Sequence, residues 1–381
     1  MRLSPVLQGM RAYPFVRLAE AKRAAQGQGL ELLDFGVGEP REETPAFIRR
    51  ALAAALEAEP VSTYPAAEGL PELRAAIARW LERRFGAALD PDLEIVPTLG
   101  TKEAIFHLPQ VVAGPGARVA ITTPGYPVPG RGAAFAGAAV VDVPLDPARG
   151  WEPDLDAVDW AGVALLWLNF PNNPTAAVTS LALLERAAAL GREHGFVVAS
   201  DEAYSELWFS GPPPASILEV GERTGVLAFN TLSKRSSMPG YRSGFAAGDP
   251  QLVAALRHYR PNVGVAPQTF VQRAAAAAWG DEKHVDAVRE HYRAKRDALE
   301  PALRAAGLQP AGGPATFFLW LRLPGGGEDD EAWALELLHR TGIVVAPGSF
   351  FGTGGAGHVR VALVPTLEAC HRAAELLASR A

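Results

Sequence analysis

The chain has 381 residues, and of its 36 Lys and Arg only five are Lys, at 22, 102, 234, 283 and 295. Lys234 stands just beyond a short apolar run, residues 226–229, long enough for a buried strand. In an open α/β sheet, ligands sit beyond that end of a strand. In an Arg-rich chain a Lys there is informative. A desolvated ammonium can lose its proton and act as a nucleophile, which a guanidinium cannot do. Hydroxyls surround it at Thr231, Ser233, Ser236 and Ser237, and Arg242 follows. One amine, several hydroxyls and one guanidinium can hold an aldehyde cofactor with a phosphate tail. By itself the stretch reads equally well as a solvated basic loop.

Other residues carry chemistry at comparable places. Asn173, Asp201 and Tyr204 each follow an apolar run, residues 164–169 and 196–199. Gly100, Thr101 and Lys102 come where a helix should begin after a strand, so free N–H groups and a hydroxyl face one point suited to an anion. Tyr126 lies in a Pro/Gly loop and Tyr64 in the loop ahead of an amphipathic helix. Gly38, in Gly36-Val37-Gly38-Glu39-Pro40, offers close backbone approach or an ordinary turn. Arg360 alternates with Val359 and Val361, so it faces away from them, as a planar partner for a carboxylate or as a surface residue.

The elements that must position these residues alternate. Apolar runs at 94–97, 119–122, 140–143, 164–169, 196–199 and 226–229 are separated by helical stretches. This predicts an α/β fold with a mostly parallel sheet covered on both faces. Right-handed crossovers bring all the strand ends to one edge, so Asn173, Asp201, Tyr204 and Lys234 converge on one cleft. Residue 44 is expected to cap a helix running to 58, with Pro45 at its first position. Past residue 260 come long helices, then strands and helices of a smaller α+β unit.

Composition narrows the function. A formal net charge of −6, without a basic tail or an aromatic-and-basic stripe, argues against nucleic acid. The single Cys fits a reducing compartment, and no run approaches a membrane span, so a cytoplasmic protein is expected. The eight His show no metal spacing, and most fall on expected helices as polar surface. Gly352, Gly354 and Gly357 match a dinucleotide-binding glycine pattern, but a strand follows where a helix is required.

Taken together, Gly38-Glu39-Pro40, Tyr64 with Gly69 and Arg74, Gly100-Thr101-Lys102, Pro124-Gly125-Tyr126-Pro127, Asn173-Pro174-Thr175, Asp201-Glu202-Ala203-Tyr204, Ser233-Lys234 with Arg242, and Arg360 resemble the fold type I, class I/II pyridoxal-phosphate aminotransferases in order and across the chain. The segments LSKRSSMPGYRSGF, SDEAYSELWF and AAWGDEKHV are similar to the N-succinyldiaminopimelate aminotransferases of lysine biosynthesis. Two positions depart from that pattern: Ala176 stands where Gly is usual, and Ser237 where Asn is common.

The resemblance implies an N-terminal arm and the start of a small domain in 1–40. It also implies a large cofactor domain in 41–270 with a mostly parallel seven-stranded sheet, and a small domain in 271–381. It implies that Lys234 binds pyridoxal phosphate covalently and then shuttles the proton. Asp201 would pair with the ring nitrogen, Tyr204 and Asn173 with the ring oxygen, and Tyr126 would stack on the ring. Gly100, Thr101, Lys102, Thr231, Ser233 and Arg242 would hold the phosphate, with Tyr64 from the other subunit of a homodimer with shared sites. Arg360, Asn173 and Gly38 would hold the substrate carboxylate. Substrates would be amino and oxo acids, with glutamate as donor. Arg17, Arg235, Arg260 and Asn262 are candidates for reading the distal end. Alternatives are a class I/II aminotransferase for aromatic, kynurenine or LL-diaminopimelate substrates, a C–S lyase on the same cofactor, or a non-enzymatic effector module.

Overall fold

A computed structural model describes residues 3–9, 15–61, 63–326 and 329–379. Among these, eight strands lie side by side in the order Ile95–Thr98, Gly244–Gly248, Val226–Thr231, Val197–Asp201, Val163–Asn169, Arg118–Thr123, Ala139–Asp146 and Glu152–Pro153. Gly244–Gly248 runs antiparallel to both neighbours, and the next five strands are mutually parallel. Glu152–Pro153 adds a two-residue antiparallel edge beyond the seven expected strands. The run at 244–248 was not expected as a strand, because Gly-Phe-Ala-Ala-Gly carries almost no β-branched signal. Its glycines are required by packing: a Cβ on Gly244 would meet Asn230 O at 2.6 Å, and one on Gly248 would meet Val226 O at 2.2 Å.

Strand side chains alternate between faces, and both faces of this sheet are covered. Leu166, Leu168, Val198 and Ala228 join one core with Trp80 and Trp279. Leu165, Trp167, Ala199, Leu227 and Phe229 join the other, under helices Thr101–Val112 and Pro250–Tyr259. This accounts for the near-continuous apolar runs.

A four-stranded antiparallel sheet, ordered Gln309–Pro310, Phe318–Arg322, His358–Ala362 and Ala346–Pro347, holds a separate core with helices Lys283–Ala305 and Leu367–Ser379. Leu33–Asp34 pairs in parallel with Ile343–Val344, so the segment entering Gly36–Pro40 is anchored to this later part of the chain. The helix expected from residue 44 starts at Ala46, with Pro45 at the capping position and no side-chain cap. Thr44 Oγ1 donates instead to Ser237 O at 2.6 Å, tying this segment to the Lys234 turn. Ala176 adopts φ +60°, the left-handed region that favours glycine, and is buried there.

Candidate active site

The parallel strands end together at one edge. Asn169 and Asp201 are register partners, Asp201 faces Phe229, and Gly244 pairs with both Thr231 and Thr98. Beyond that edge lies a cleft of about 640 Å³. Lys234, Asp201, Tyr204, Asn173, Tyr126, Thr101, Lys102, Thr231, Ser233, Arg242, Gly38 and Arg360 all line it. Gly100 is just outside the lining: it caps helix Thr101–Val112 at φ +69°, and a Cβ there would strike the Arg242 guanidinium at 2.8 Å. Tyr64 is fully exposed and does not line the cleft of its own chain.

Lys234 sits on a one-turn helix, Leu232–Arg235, directly after its strand. Thr231 starts that turn, its hydroxyl accepting from Ser233 N at 3.1 Å and donating to Ser243 O at 2.8 Å. The Lys234 amine donates to Gly38 O at 2.9 Å and lies 5.7 Å and 5.3 Å from the ring centroids of Tyr204 and Phe317. Burial, with the Arg360 charge nearby, pulls its pKa down to about 8. A neutral amine is therefore accessible near neutral pH, as a nucleophile or base requires.

Asp201 is buried at the floor. Burial pushes its carboxyl up to about 7, against the opposing pull of the Ala203 N–H, which donates to Oδ1 at 3.2 Å. A carboxylate so placed is matched to a cationic partner. Tyr204, packed edge-on against Phe317 and Phe318, has its phenol pushed well above the ordinary range by burial. It remains an O–H group at any working pH.

Arg360 belongs to a central strand of the small sheet and is buried, not on a surface edge. Its guanidinium donates to Asn173 Oδ1 at 2.7 Å and to Gly36 O at 2.8 Å, between the rings of Phe318 and Phe351. Gly38 is required opposite: a Cβ there would meet the Phe318 ring at 2.7 Å. Asn173, Gly36, Phe318 and Phe351, from distant parts of the sequence, thus meet around one guanidinium. At the other end of the cleft, the Thr231 and Ser233 hydroxyls are 3.0 Å apart. With Arg242 and the first N–H groups of helix Thr101–Val112, they make a donor set for a phosphate.

Sequence reasoning missed the brace beneath Asn173. Asn169 Nδ2 donates to Asp201 O at 3.0 Å, and its Oδ1 accepts from Asn173 N at 3.0 Å. Asn172 Oδ1 accepts from Thr175 Oγ1 at 2.8 Å. Asn169 had the available signal, a polar residue closing an apolar run. Of the distal-end candidates, Arg235, Arg260 and Asn262 do not line the cleft. Arg235 donates to Ala278 O at 3.2 Å and Glu282 Oε2 at 2.9 Å, against Trp279. Arg260 donates to Pro97 O at 2.7 Å and Glu103 Oε1 at 2.9 Å. Asn262 donates to His258 O. The Arg17 side chain lies outside the described residues. His284, on an expected helix and so expected at the surface, is buried. Glu39 was named only within its motif, yet it lines the mouth of the cleft.

Comparison with known proteins agrees with this geometry. Residues 31–377 match the family model described as aminotransferase class I and II. A curated LL-diaminopimelate aminotransferase from Aquifex aeolicus is 38% identical over 94% of this chain and 95% of its own length. One of the same description from Dehalococcoides mccartyi is 36% identical over 95% of each. Among solved structures, an aminotransferase from Neisseria meningitidis superposes with a TM-score of 0.91 at 36% identity, over 99% of both chains. A probable N-succinyldiaminopimelate aminotransferase from Thermus thermophilus superposes with a TM-score of 0.89 at 32% identity, over 96% of this chain and 99% of that one.

Proposed function

This chain belongs to the class I and II aminotransferases, and from that premise we propose that it holds pyridoxal phosphate on Lys234 and moves an amino group between glutamate and a diaminopimelate-class acid. The observation that carries the reading is the meeting of Lys234, Asp201, Tyr204, Asn173 and Arg360 in one cleft with a phosphate donor set at its end. The residues present suit the cofactor. Asp201 is a buried acid matched to a ring cation, and Thr231, Ser233, Arg242 and the Gly100–Thr101 helix start are matched to a phosphate dianion. When bound, the cofactor supplies a carbonyl for the substrate amine and an electron sink.

The remaining work falls to the chain. Arg360 presents a planar fork to the substrate α-carboxylate, held in register by Asn173 and Gly36. Lys234 Nζ, with its pKa near 8, takes the proton from the carbon beside that carboxylate and would deliver it to the carbon of the cofactor's carbonyl, so that the amino group stays behind when the oxo acid leaves. Tyr204 and Asn173 offer neutral donors to the cofactor ring oxygen, and Tyr126 flanks the ring. Phe318 and Phe351 cover the guanidinium and keep water from it. Fully exposed Tyr64 reaches the phosphate of a second copy, so the active form is a homodimer with shared sites.

The substrate reading is supported by the curated relatives described as LL-diaminopimelate aminotransferases, and Glu39 is compatible with it. This acid lines the cleft mouth, while Arg235 and Arg260 are committed elsewhere. A distal ammonium, as in free LL-diaminopimelate, complements Glu39. An N-succinyl group replaces that ammonium with a further carboxylate. The N-succinyl substrate is the second reading, supported by residues 232–245 and by the likeness to the Thermus thermophilus protein. The deciding assay compares turnover of LL-diaminopimelate, N-succinyl-LL-diaminopimelate and aspartate with 2-oxoglutarate. Faster turnover of the free diamino acid is expected. Preference for the succinylated acid establishes the second reading, and turnover of aspartate alone refutes both.

A further inference from the structure

One helix outside the cleft grips both of its walls. On helix Lys283–Ala305, His284, Tyr292 and Lys295 occupy one face, at i, i+8 and i+11. His284 Nε2 lies 2.8 Å from the hydroxyl of Ser236, two residues past Lys234. Its Nδ1 lies 2.7 Å from Asp281 Oδ1, which also accepts from His284 N at 3.0 Å. Further along, the Tyr292 hydroxyl donates to Glu42 Oε2 at 2.7 Å, and Lys295 pairs with Glu42 Oε1. Glu42 closes the strap, residues 36–42, whose Gly36 and Gly38 carbonyls hold Arg360 and Lys234.

We propose that His284 is a positioning residue for Lys234: the Asp281–His284–Ser236 relay fixes the turn that carries the amine, while the same helix fixes the opposite strap through Glu42, so that the helix sets the approach of Lys234 to Gly38 O. The chemistry of the relay is determined by its acid. Asp281 accepts the Nδ1 proton, which leaves Nε2 as acceptor for the Ser236 O–H. Burial lowers the His284 pKa, with Arg235 acting in the same direction and Asp281 against it, and so favours the neutral ring. The Phe47 ring packs edge-on against it, centroids 5.4 Å apart. This order of groups is that of a hydrolase triad, but Ser236 has no exposed surface, so no substrate reaches it and the relay acts by holding the turn. Around Lys234 the charged groups are Arg360, Glu39, Arg242 and Asp201, and the amine's proton affinity depends on its distance from each.

The proposal rests on Lys234 being the reactive amine, and its test separates the two. In His284→Gln the amide falls where Nε2 was, keeping the Ser236 bond and losing Asp281. In His284→Asn it falls where Nδ1 was, keeping Asp281 and losing Ser236. Ser236→Ala removes the same bond with little change of volume. The readout is the Lys234 pKa in the full cofactor-free chain, from the pH dependence of its acetylation by acetic anhydride, quantified by peptide mass spectrometry. Because no cofactor is present, this readout is independent of whether the chain binds pyridoxal phosphate. His284→Asn and Ser236→Ala should raise the Lys234 pKa toward its ordinary value by about half a unit or more, about threefold in proton affinity. His284→Gln should match the parent. Equal shifts in all three variants, no shift in any, or a shift in His284→Gln alone overturns the proposal.

Discussion

Replacing Arg360 with Lys keeps the charge and removes the fork. In the parent, the guanidinium spans 2.7 Å to Asn173 Oδ1 and 2.8 Å to Gly36 O, and only 4% of its surface is exposed. An ammonium on a flexible stem cannot hold both of these and also meet two carboxylate oxygens. Losing one charge-assisted bond to the substrate costs about 1.5–3 kcal/mol, which raises KM roughly 10- to 150-fold. The loss should be the same for every amino-acid and oxo-acid substrate, because all share the α-carboxylate. A separate cost of about 1–3 kcal/mol in stability follows if the Asn173 or Gly36 oxygen is left buried without a donor. Cofactor retention should barely change, since the phosphate donors lie at the other end of the cleft. The assay is KM for both half-reactions, with cofactor content and thermal melting on the same preparations. If KM is unchanged and cofactor is lost, Arg360 is a phosphate ligand and the orientation of the substrate is reversed.

Three further outcomes follow. In the cofactor-free chain Asp201 holds a proton up to about pH 7 that the unfolded chain releases near 3.8, so its contribution to stability is lost as pH rises through that window. Asp201→Asn should therefore be more stable than the parent at pH 8 by about 1–4 kcal/mol, converging with it near pH 4, while transamination falls by orders of magnitude. Glu202, raised to about 7 by burial, is present in both proteins and cancels in the difference; equal melting curves across the range would refute this. Tyr64→Phe should leave a dimer in sedimentation but weaken cofactor retention about tenfold or more, as expected for one lost bond to a charged group; unchanged retention removes Tyr64 from the site. Glu39→Gln should lower kcat/KM for LL-diaminopimelate about tenfold more than for glutamate, the order of one charge-assisted contact, since both substrates share only the change at the Lys234 amine; equal loss for both substrates would remove Glu39 from the distal end of the substrate.

What could be read in the sequence was local. Asp201, Asn173 and Lys234 stand out because each puts a polar type just beyond an apolar run, and parallel crossovers bring such positions to one edge. The burial of Arg360 could not be read that way. Alternation with Val359 and Val361 gives its direction but not that Asn173 and Gly36 wait on that side, which depends on how the two sheets meet. Gly244–Gly248 was hidden for a related reason: its glycines answer to the Asn230 and Val226 carbonyls of the preceding strand, a close approach that composition does not show. Thr44, Arg235 and Arg260 show the converse. Their types suggested a cap and substrate contacts, but partners distant along the chain had already claimed them. The likeness to known motifs supplied roles for these residues, and the contacts between distant segments supplied the geometry.

The most direct test of the account is the covalent address of the cofactor. Purified protein is incubated with pyridoxal phosphate, reduced with borohydride, digested and mapped by mass spectrometry. The account predicts a yellow protein that loses its visible band on reduction and carries one phosphopyridoxyl group per chain, on Lys234. Label on Lys102 or another lysine, with Lys234 unmodified, would contradict it.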